Sequence, residues 1–278
     1  MSLSVRIASV EAPVGQIVFW RSAVAIVPIL AYLALRGQLR HGLKTNCPIG
    51  HVKRSLYGCV TMFFSFISIA HLPLALATAL SFLAPLIAVP VAVAQLGERP
   101  GGVVIGATIL GFAGIGLMLW PAMTGQALAI GPMIGVAAGL ACAATTALTK
   151  SEIKRLTATE APATIAFYFA LVCALCGLAS LSLGWAEVDQ TALLALIASG
   201  LFGGFAHIAM TEAIARASVS TLAPFEYTAM IWALLFDLAI FAIWPEPISL
   251  VGALVVVVAV IGVAFADRIG ERLRTLIR

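Results

Sequence analysis

Long apolar stretches dominate this chain and leave little choice of fold. A helix needs about 20 apolar residues to cross a bilayer, and nine such stretches follow one another between short polar breaks. Only 10% of the residues are charged and 62% are hydrophobic, whereas a soluble domain carries about 25% charge. The sequence therefore predicts an all-α polytopic membrane protein. The predicted spans are 14–35, 55–70, 74–96, 102–120, 131–149, 161–183, 191–211, 219–244 and 249–266.

The lysines and arginines indicate how these spans are oriented. They concentrate in alternate connections, including a basic loop at 36–54 that ends with Lys53 and Arg54, and in the tail at 267–278. The opposite loops carry acidic residues and no lysine or arginine. Because cytosolic loops are enriched in basic residues, we predict a cytosolic C-terminus. The net charge of +4 is spread over short loops, so no nucleic-acid partner is expected.

The two halves of the chain resemble each other. Glu11-Ala12-Pro13 followed by Phe19-Trp20 recurs 149 residues later as Glu160-Ala161-Pro162 followed by Tyr168-Phe169. By the predicted orientation Glu11 is outside and Glu160 inside, so the two repeats are inverted. Inverted repeats are typical of secondary transporters, with the substrate site near the midplane. We predict a first repeat at 1–125, a second at 126–266 and a basic cytosolic tail at 267–278.

Several short motifs resemble those of the EamA-like family of the drug/metabolite transporter superfamily. They include Pro13-x-x-Gln16-x-x-Phe19-x-Arg21, Leu83-Ala84-Pro85-Leu86, Gly97-Glu98-Arg99 and Ala223-Pro224-Phe225-Glu226-Tyr227. The resemblance covers nearly the whole chain. It implies ten helices in two inverted five-helix repeats, a central cavity, and transport of small metabolites such as amino acids and their derivatives. Only ten residues precede Glu11, about half a bilayer as a helix, so we expect either a shortened first helix and nine full spans or a start further upstream.

Two acidic residues, Glu226 and Asp237, lie in one apolar span. A charged group in hydrocarbon costs about 2.5–3.5 kcal/mol or more and usually faces a polar interior. At helical spacing the two carboxylates lie on nearly the same face. A desolvated carboxyl has a raised pKa, so Glu226 is a candidate proton carrier, with His207 at a similar depth. The alternative is a structural Glu226–His207 or Glu–Tyr contact.

Arg21 and Asp237 are predicted at matching depths in the outer half of the membrane. An Arg–Asp pair would reduce the cost of burying both charges and could open to accept a zwitterionic substrate. The alternative for Arg21 is a bond to backbone carbonyls between helices. An apolar part of the substrate could contact aromatic residues, although such residues are also ordinary packing material; the candidates are Phe19, Trp20, Tyr168, Tyr227 and Trp232.

The motifs of several other function classes are missing from the sequence. We find no phosphate-binding Gly-x-x-x-x-Gly-Lys-Ser/Thr loop, no His-Glu-x-x-His metal site and no Gly-x-Ser-x-Gly nucleophile motif. Cys173 and Cys176 stand alone in a span, where packing is their expected role. We therefore predict no enzyme activity, no cofactor and no metal.

The sequence is best explained by a secondary transporter of the bacterial inner membrane that exports an amino acid or a derivative by alternating access. Its expected partners are a small-molecule substrate, the bilayer, protons as coupling ion and a second copy in a homodimer. The first alternative is uptake of a vitamin or nucleoside-like cofactor such as riboflavin or S-adenosylmethionine. An intramembrane enzyme built on Glu226 and His207 is the second alternative, and a purely structural role is the third.

Overall fold

In the computed structural model of this protein, the described residues are 1–39, 42–84, 87, 102–124, 130–216 and 228–264. Every regular element among them is helical. These ranges contain ten α-helices, one of which continues into a short 3₁₀ helix at Ser180–Leu183. They are α1 Ser2–Ala8, α2 Val14–Leu35, α3 Pro48–His71, α4 Leu74–Ser81, α5 Gly102–Thr124, α6 Ile130–Leu156, α7 Pro162–Ala179, α8 Gln190–Arg216, α9 Thr228–Ala239 and α10 Pro247–Ala264.

The described helices overlap the predicted spans, although α3 begins at Pro48 rather than at residue 55 and α6 extends to Leu156 rather than to residue 149. Helix α2 coincides with its predicted span. Within the described ranges, four helical stretches are long and apolar enough to cross a membrane: Val14–Leu35, Ile130–Thr149, Pro162–Leu183 and Gln190–Arg216. The predicted spans at 74–96 and 219–244 lie partly outside the described residues, where only Leu74–Ser81 and Thr228–Ala239 are assigned to helix. The protein is a multi-pass membrane protein, and the regular elements in its described ranges are all helical.

Proline and glycine set the ends of α2. Pro13 precedes the helix in an extended conformation, which suits a residue that has no N–H to donate. At the other end Gly37 has φ 64°, and the amide of Gln38 donates to the Leu33 carbonyl at 2.9 Å. A left-handed glycine with this bond is a common helix C-terminal motif.

The contacts divide the chain into two compact units. The first unit contains residues 1–70 and 148–218. Within it α2 packs against α7 and α8, and α1 packs against α8. Small residues allow this approach: a Cβ on Gly200 would lie 2.5 Å from Cβ of Val24. Close backbone contact through small residues is how helices associate in lipid.

The second unit contains residues 71–147 and 219–278. Among its described helices, α5 packs along α10 and α9 packs against α4. Gly114 is a point of close approach in the first pair, because its Cβ would lie 2.9 Å from the Gly252 carbonyl oxygen. Each compact unit draws helices from both predicted repeats. The repeat boundaries at 125 and 266, and the inverted relation of the halves, stay predictions.

Candidate functional site

Two arginines are buried inside the first unit. Arg21 lies on α2 and is 6% exposed, and Arg54 lies on α3 and is 1% exposed. Even after relaxation, removing an ion from water costs several kcal/mol unless a partner compensates. Two buried guanidinium groups therefore carry a large desolvation cost that their surroundings must offset.

The two guanidinium groups converge on one aromatic ring. The central carbon of Arg54 lies 4.0 Å from the centroid of Phe169, and that of Arg21 lies 5.5 Å from the same centroid. Both distances are within the range of a cation–π interaction. Phe169 lies on α7 and is buried. The ring thus holds two like charges close to each other.

A histidine on a fourth helix completes this group. His207 on α8 is buried, and its ring lies 4.6 Å from that of Phe169. Arg54 Nη2 donates to His207 Nε2 at 3.0 Å. Arginine can only donate, so Nε2 carries the lone pair and the imidazole is neutral with its proton on Nδ1. We call Arg21, Arg54, Phe169 and His207 the arginine cluster.

Several donors of the arginine cluster have no acceptor. Arg54 Nε, Arg54 Nη1 and Arg21 Nε are buried without a hydrogen-bond partner. Arg21 Nη2 approaches only the sulfur of Met1, at 4.0 Å. The ion pairs within the described residues involve neither arginine. The cluster can therefore donate several charge-assisted hydrogen bonds to an acceptor that is not among the described residues.

Arg54 corrects one prediction. It was assigned to the basic loop at 36–54, but α3 begins at Pro48 and places Arg54 in its second turn, in the interior. Counting apolar residues misplaced the helix start. Pro48 was the available signal, because proline is favoured at the first position of a helix. Phe169 was also missed as a site residue, although the predicted repeat aligns it with Trp20.

The predicted aromatic residues of the first unit have other contacts. Phe19 packs against Trp185, with centroids 5.0 Å apart, and against Trp20 at 6.1 Å. The Tyr168 hydroxyl donates to the Leu43 carbonyl at 2.9 Å. None of these contacts joins them to the arginine cluster. Their role in substrate binding stays a prediction.

Asp237 stabilises a helix end in the second unit. It is 3% exposed, and its carboxylate accepts from the amides of Leu74 at 2.9 Å and Ala75 at 2.7 Å. These amides belong to the first turn of α4, where N–H groups lack partners within the helix. Arg21 and Asp237 therefore each have contacts within their own unit, and a direct pair between them stays a prediction.

A pocket of about 270 Å³ lies beside Asp237. Its polar lining includes Glu246, Ser249 and His71, and apolar residues such as Trp244 supply the rest. Trp232 lies on α9, is 58% exposed, and has its ring 6.2 Å from that of Phe236. Glu226 and Tyr227 lie outside the described residues. The proton-carrier role of Glu226 and its alternative, a structural contact with His207 or a tyrosine, therefore both stay predictions.

Glu160 anchors the loop between α2 and α3. Its Oε1 accepts from the amides of Asn46 and Cys47 and from the Thr45 hydroxyl at 2.9–3.1 Å, and His51 Nε2 lies 3.6 Å from Oε2. Burial raises the pKa of Glu160, but these hydrogen bonds and the nearby His51 outweigh it and hold the pKa below its usual value. This ionised carboxylate fixes the loop before α3, and hence the start of the helix that carries Arg54.

The cluster thus has the chemistry of an anion-binding site inside a bundle of membrane helices. Comparison with known proteins identifies the protein family. The EamA-like transporter family matches residues 1–120 and 133–265. The chain belongs to the EamA-like transporter family. This confirms the resemblance of the short motifs and makes the protein a small-molecule transporter rather than an enzyme.

Similar EamA-like proteins transport different solutes. The chain is 25% identical over 272 residues to the pseudopaline exporter of Pseudomonas aeruginosa, covering 95% of this chain and 90% of the exporter. It is 24% identical over 254 residues to the S-adenosylmethionine uptake transporter of Rickettsia prowazekii, covering 90% and 81%. One solved crystal structure matches with a TM-score of 0.69 at 21% identity, over 98% of this chain and 94% of that one. This last match supports the fold.

Proposed function

We propose that the protein is a secondary transporter of the bacterial inner membrane that exports a small metabolite, an amino acid or a derivative, by alternating access. Membership of the EamA-like family supports transport. The likeness to a pseudopaline exporter over nearly the whole chain supports export.

The arginine cluster is the observation that carries this proposal. Arg21, Arg54 and His207 lie on three different helices and meet at one phenylalanine ring. A guanidinium at membrane depth costs about 2.5–3.5 kcal/mol or more. A chain that only had to fold would gain nothing by keeping two of them side by side. A solute-binding role explains why both are present.

The same cluster argues against the intramembrane enzyme. General acid–base catalysis needs a group that exchanges a proton near the working pH. Arginine does not deprotonate in proteins, and His207 Nε2 is occupied by Arg54. The cluster is suited to binding an anion and not to cleaving a bond.

Uptake of S-adenosylmethionine or a similar cofactor is the second candidate. It is favoured by the matches to uptake transporters from two Rickettsia species, at 24% and 25% identity. Both candidates use the same fold and differ in cargo and direction, so a flux measurement separates them.

The coupling and assembly remain as the sequence predicts them. Glu226 would carry the coupling proton or bind the substrate amine, and Arg21 and Asp237 would shape the outer half of the site. A cytosolic C-terminus and a homodimer complete the proposal.

A flux assay tests the proposal. Purified protein is reconstituted into proteoliposomes and supplied with a mixture of amino acids and their derivatives, and separately with labelled S-adenosylmethionine. Mass spectrometry identifies what crosses. We expect at least one metabolite to move with wild-type protein and with Arg155→Gln, which removes an exposed guanidinium, and to move much more slowly with Arg54→Gln. Flux equal to that of protein-free liposomes for every solute would contradict the proposal.

Glu226→Gln tests the coupling in the same vesicles. We expect it to abolish the dependence of flux on an imposed pH gradient. Unchanged flux with an unchanged pH dependence would remove Glu226 from the mechanism.

A further inference from the structure

We propose that Arg21 and Arg54 together bind the carboxylate group of the transported solute, with Phe169 and His207 as positioning residues. This inference rests on the proposed function, because it takes the ligand to be the transported solute. It goes further by assigning the site and the chemical group that the site recognises.

The unused donors point to an anion. Arg54 Nε and Nη1 and Arg21 Nε are buried, and no acceptor among the described residues reaches them. Buried polar groups almost always find a partner. Each carboxylate oxygen has two lone pairs, so one carboxylate can accept from all three of these N–H groups.

The charge balance points the same way. Two cations lie against the same ring, and the polar member of the cluster, His207, is neutral when it accepts from Arg54. An anion between the guanidinium groups would offset both desolvation and mutual repulsion. Charge-assisted bonds of this kind are about twice as strong as neutral ones.

Phe169 and His207 orient the donors. The ring of Phe169 contacts both guanidinium groups, and the bond to His207 Nε2 fixes Arg54 Nη2. The Nε and Nη1 groups of Arg54 are then left for the ligand. Protonation of His207 would remove this acceptor and place a third cation in the cluster.

Two glycines bring helix backbones directly against the arginines. A Cβ on Gly203 would lie 2.9 Å from Arg21 Nε, and one on Gly58 would lie 3.1 Å from Arg54 Nη1. A side chain at either position would press on a donor of the proposed site. The donors are covered in this arrangement, so a solute reaches them only when the helices separate, as alternating access requires.

A carboxylate fits better than a tetrahedral anion. The guanidinium is a planar fork that matches the two oxygens of a carboxylate. A phosphate dianion presents a third charged oxygen, whereas the two guanidinium groups are the cations that lie over the Phe169 ring among the described residues. Hence we commit to a carboxylate rather than a phosphate or sulfate.

Thermal unfolding in detergent tests the site without requiring transport. The full-length protein is heated at constant ionic strength with benzoate or L-phenylalanine, and with their neutral-group counterparts benzamide and L-phenylalaninamide. Sodium chloride, sulfate and phosphate serve as anion controls. A ligand that binds only the folded state raises its apparent stability by mass action. We expect a carboxylate to raise the unfolding midpoint by about 2–6 °C at saturating concentration, and the amides to have no effect.

Matched variants assign the effect to the arginines. The shift should persist in Arg155→Gln and vanish in Arg21→Gln and Arg54→Gln. Gly203→Ala should reduce it without removing a charge. Arg54→Lys keeps the charge but not the fork and should retain only part of the shift.

Three results would overturn the inference: no shift with either carboxylate, a shift that survives both arginine substitutions, or an equal shift with phosphate or sulfate. The flux assay reports separately on transport. Flux without a carboxylate shift would refute this site and leave the transporter standing, whereas a shift without flux of any solute would refute transport and leave an anion site.

Discussion

Replacing Arg21 by methionine should make the protein more stable and, at the same time, inactive. Among the described residues, the guanidinium of Arg21 lies 4.0 Å from the Met1 sulfur and 5.5 Å from the centroid of the Phe169 ring, and its Nε is buried without a hydrogen bond. Methionine keeps most of the length and the apolar stem of the side chain while removing the buried charge.

The magnitude follows from these contacts. Removing a buried cation should raise the free energy of unfolding by about 2.5–3.5 kcal/mol. Loss of the cation–π interaction should lower it by about 0.5–2 kcal/mol. Removal of the repulsion from Arg54 adds to the gain. We therefore expect the free energy of unfolding to rise by about 1–3 kcal/mol, which corresponds to about 2–10 °C in the midpoint.

The assay is fluorescence-monitored thermal unfolding of wild type and variants in the same detergent. Arg155→Met is the control, because removing an exposed charge should change stability by no more than about 0.5 kcal/mol. Arg21→Lys retains a buried cation and should not be stabilised. A fall in the midpoint of Arg21→Met by several degrees would show that Arg21 is a structural group with satisfied bonds, and it would refute the reasoning.

Three further substitutions test a helix contact, a helix cap and a loop anchor, each by its unfolding midpoint. Gly177→Ala should cost about 1–3 kcal/mol because its Cβ would lie 2.5 Å from the backbone of α2, whereas Gly106→Ala, with nothing within 4 Å, should cost nothing; equal effects would contradict this packing. Asp237→Ala should cost about 2–3 kcal/mol by freeing two amides of α4, and Asp237→Asn less; an unchanged midpoint would show that the cap contributes little. Glu160→Gln should cost about 1–2 kcal/mol at pH 7. The pKa of Glu160 is lower in the folded protein than its usual value. The extra stability of the wild type is therefore present above the unfolded pKa of about 4.3 and disappears as pH falls through the folded pKa. A difference in midpoint between wild type and Glu160→Gln that is constant with pH would contradict the assignment.

Helix positions could be predicted from the sequence where local signals were strong. The boundaries of α2 follow from Pro13 and Gly37, which act within a few residues of the chain. The start of α3 was missed because a count of consecutive apolar residues leaves out the charged turn that contains Lys53 and Arg54. The proline that starts this helix was the better signal.

The site could be predicted only in part. Arg21 and His207 stand out as charged or polar residues in apolar spans, and the structure buries both. Their grouping with Arg54 around Phe169 depends on the packing of four helices, which no local pattern encodes. Asp237 also stood out, but its bonds to the amides of Leu74 and Ala75 join residues more than 160 positions apart. Contacts at that separation are set by tertiary structure alone.

The discrimination between a metabolite and its neutral amide tests most directly whether the buried arginines act on the transported solute. The initial rate of flux is measured in proteoliposomes for a transported metabolite and for its amide, with wild type, Arg155→Gln and Arg54→Gln. A site built around buried donors should reject a solute that lacks the matching charge, so we predict at least about 100-fold preference for the carboxylate in wild type and Arg155→Gln. In Arg54→Gln the preference should fall below about 10-fold. Equal rates for metabolite and amide in the wild type, or an undiminished preference in Arg54→Gln, would contradict the account.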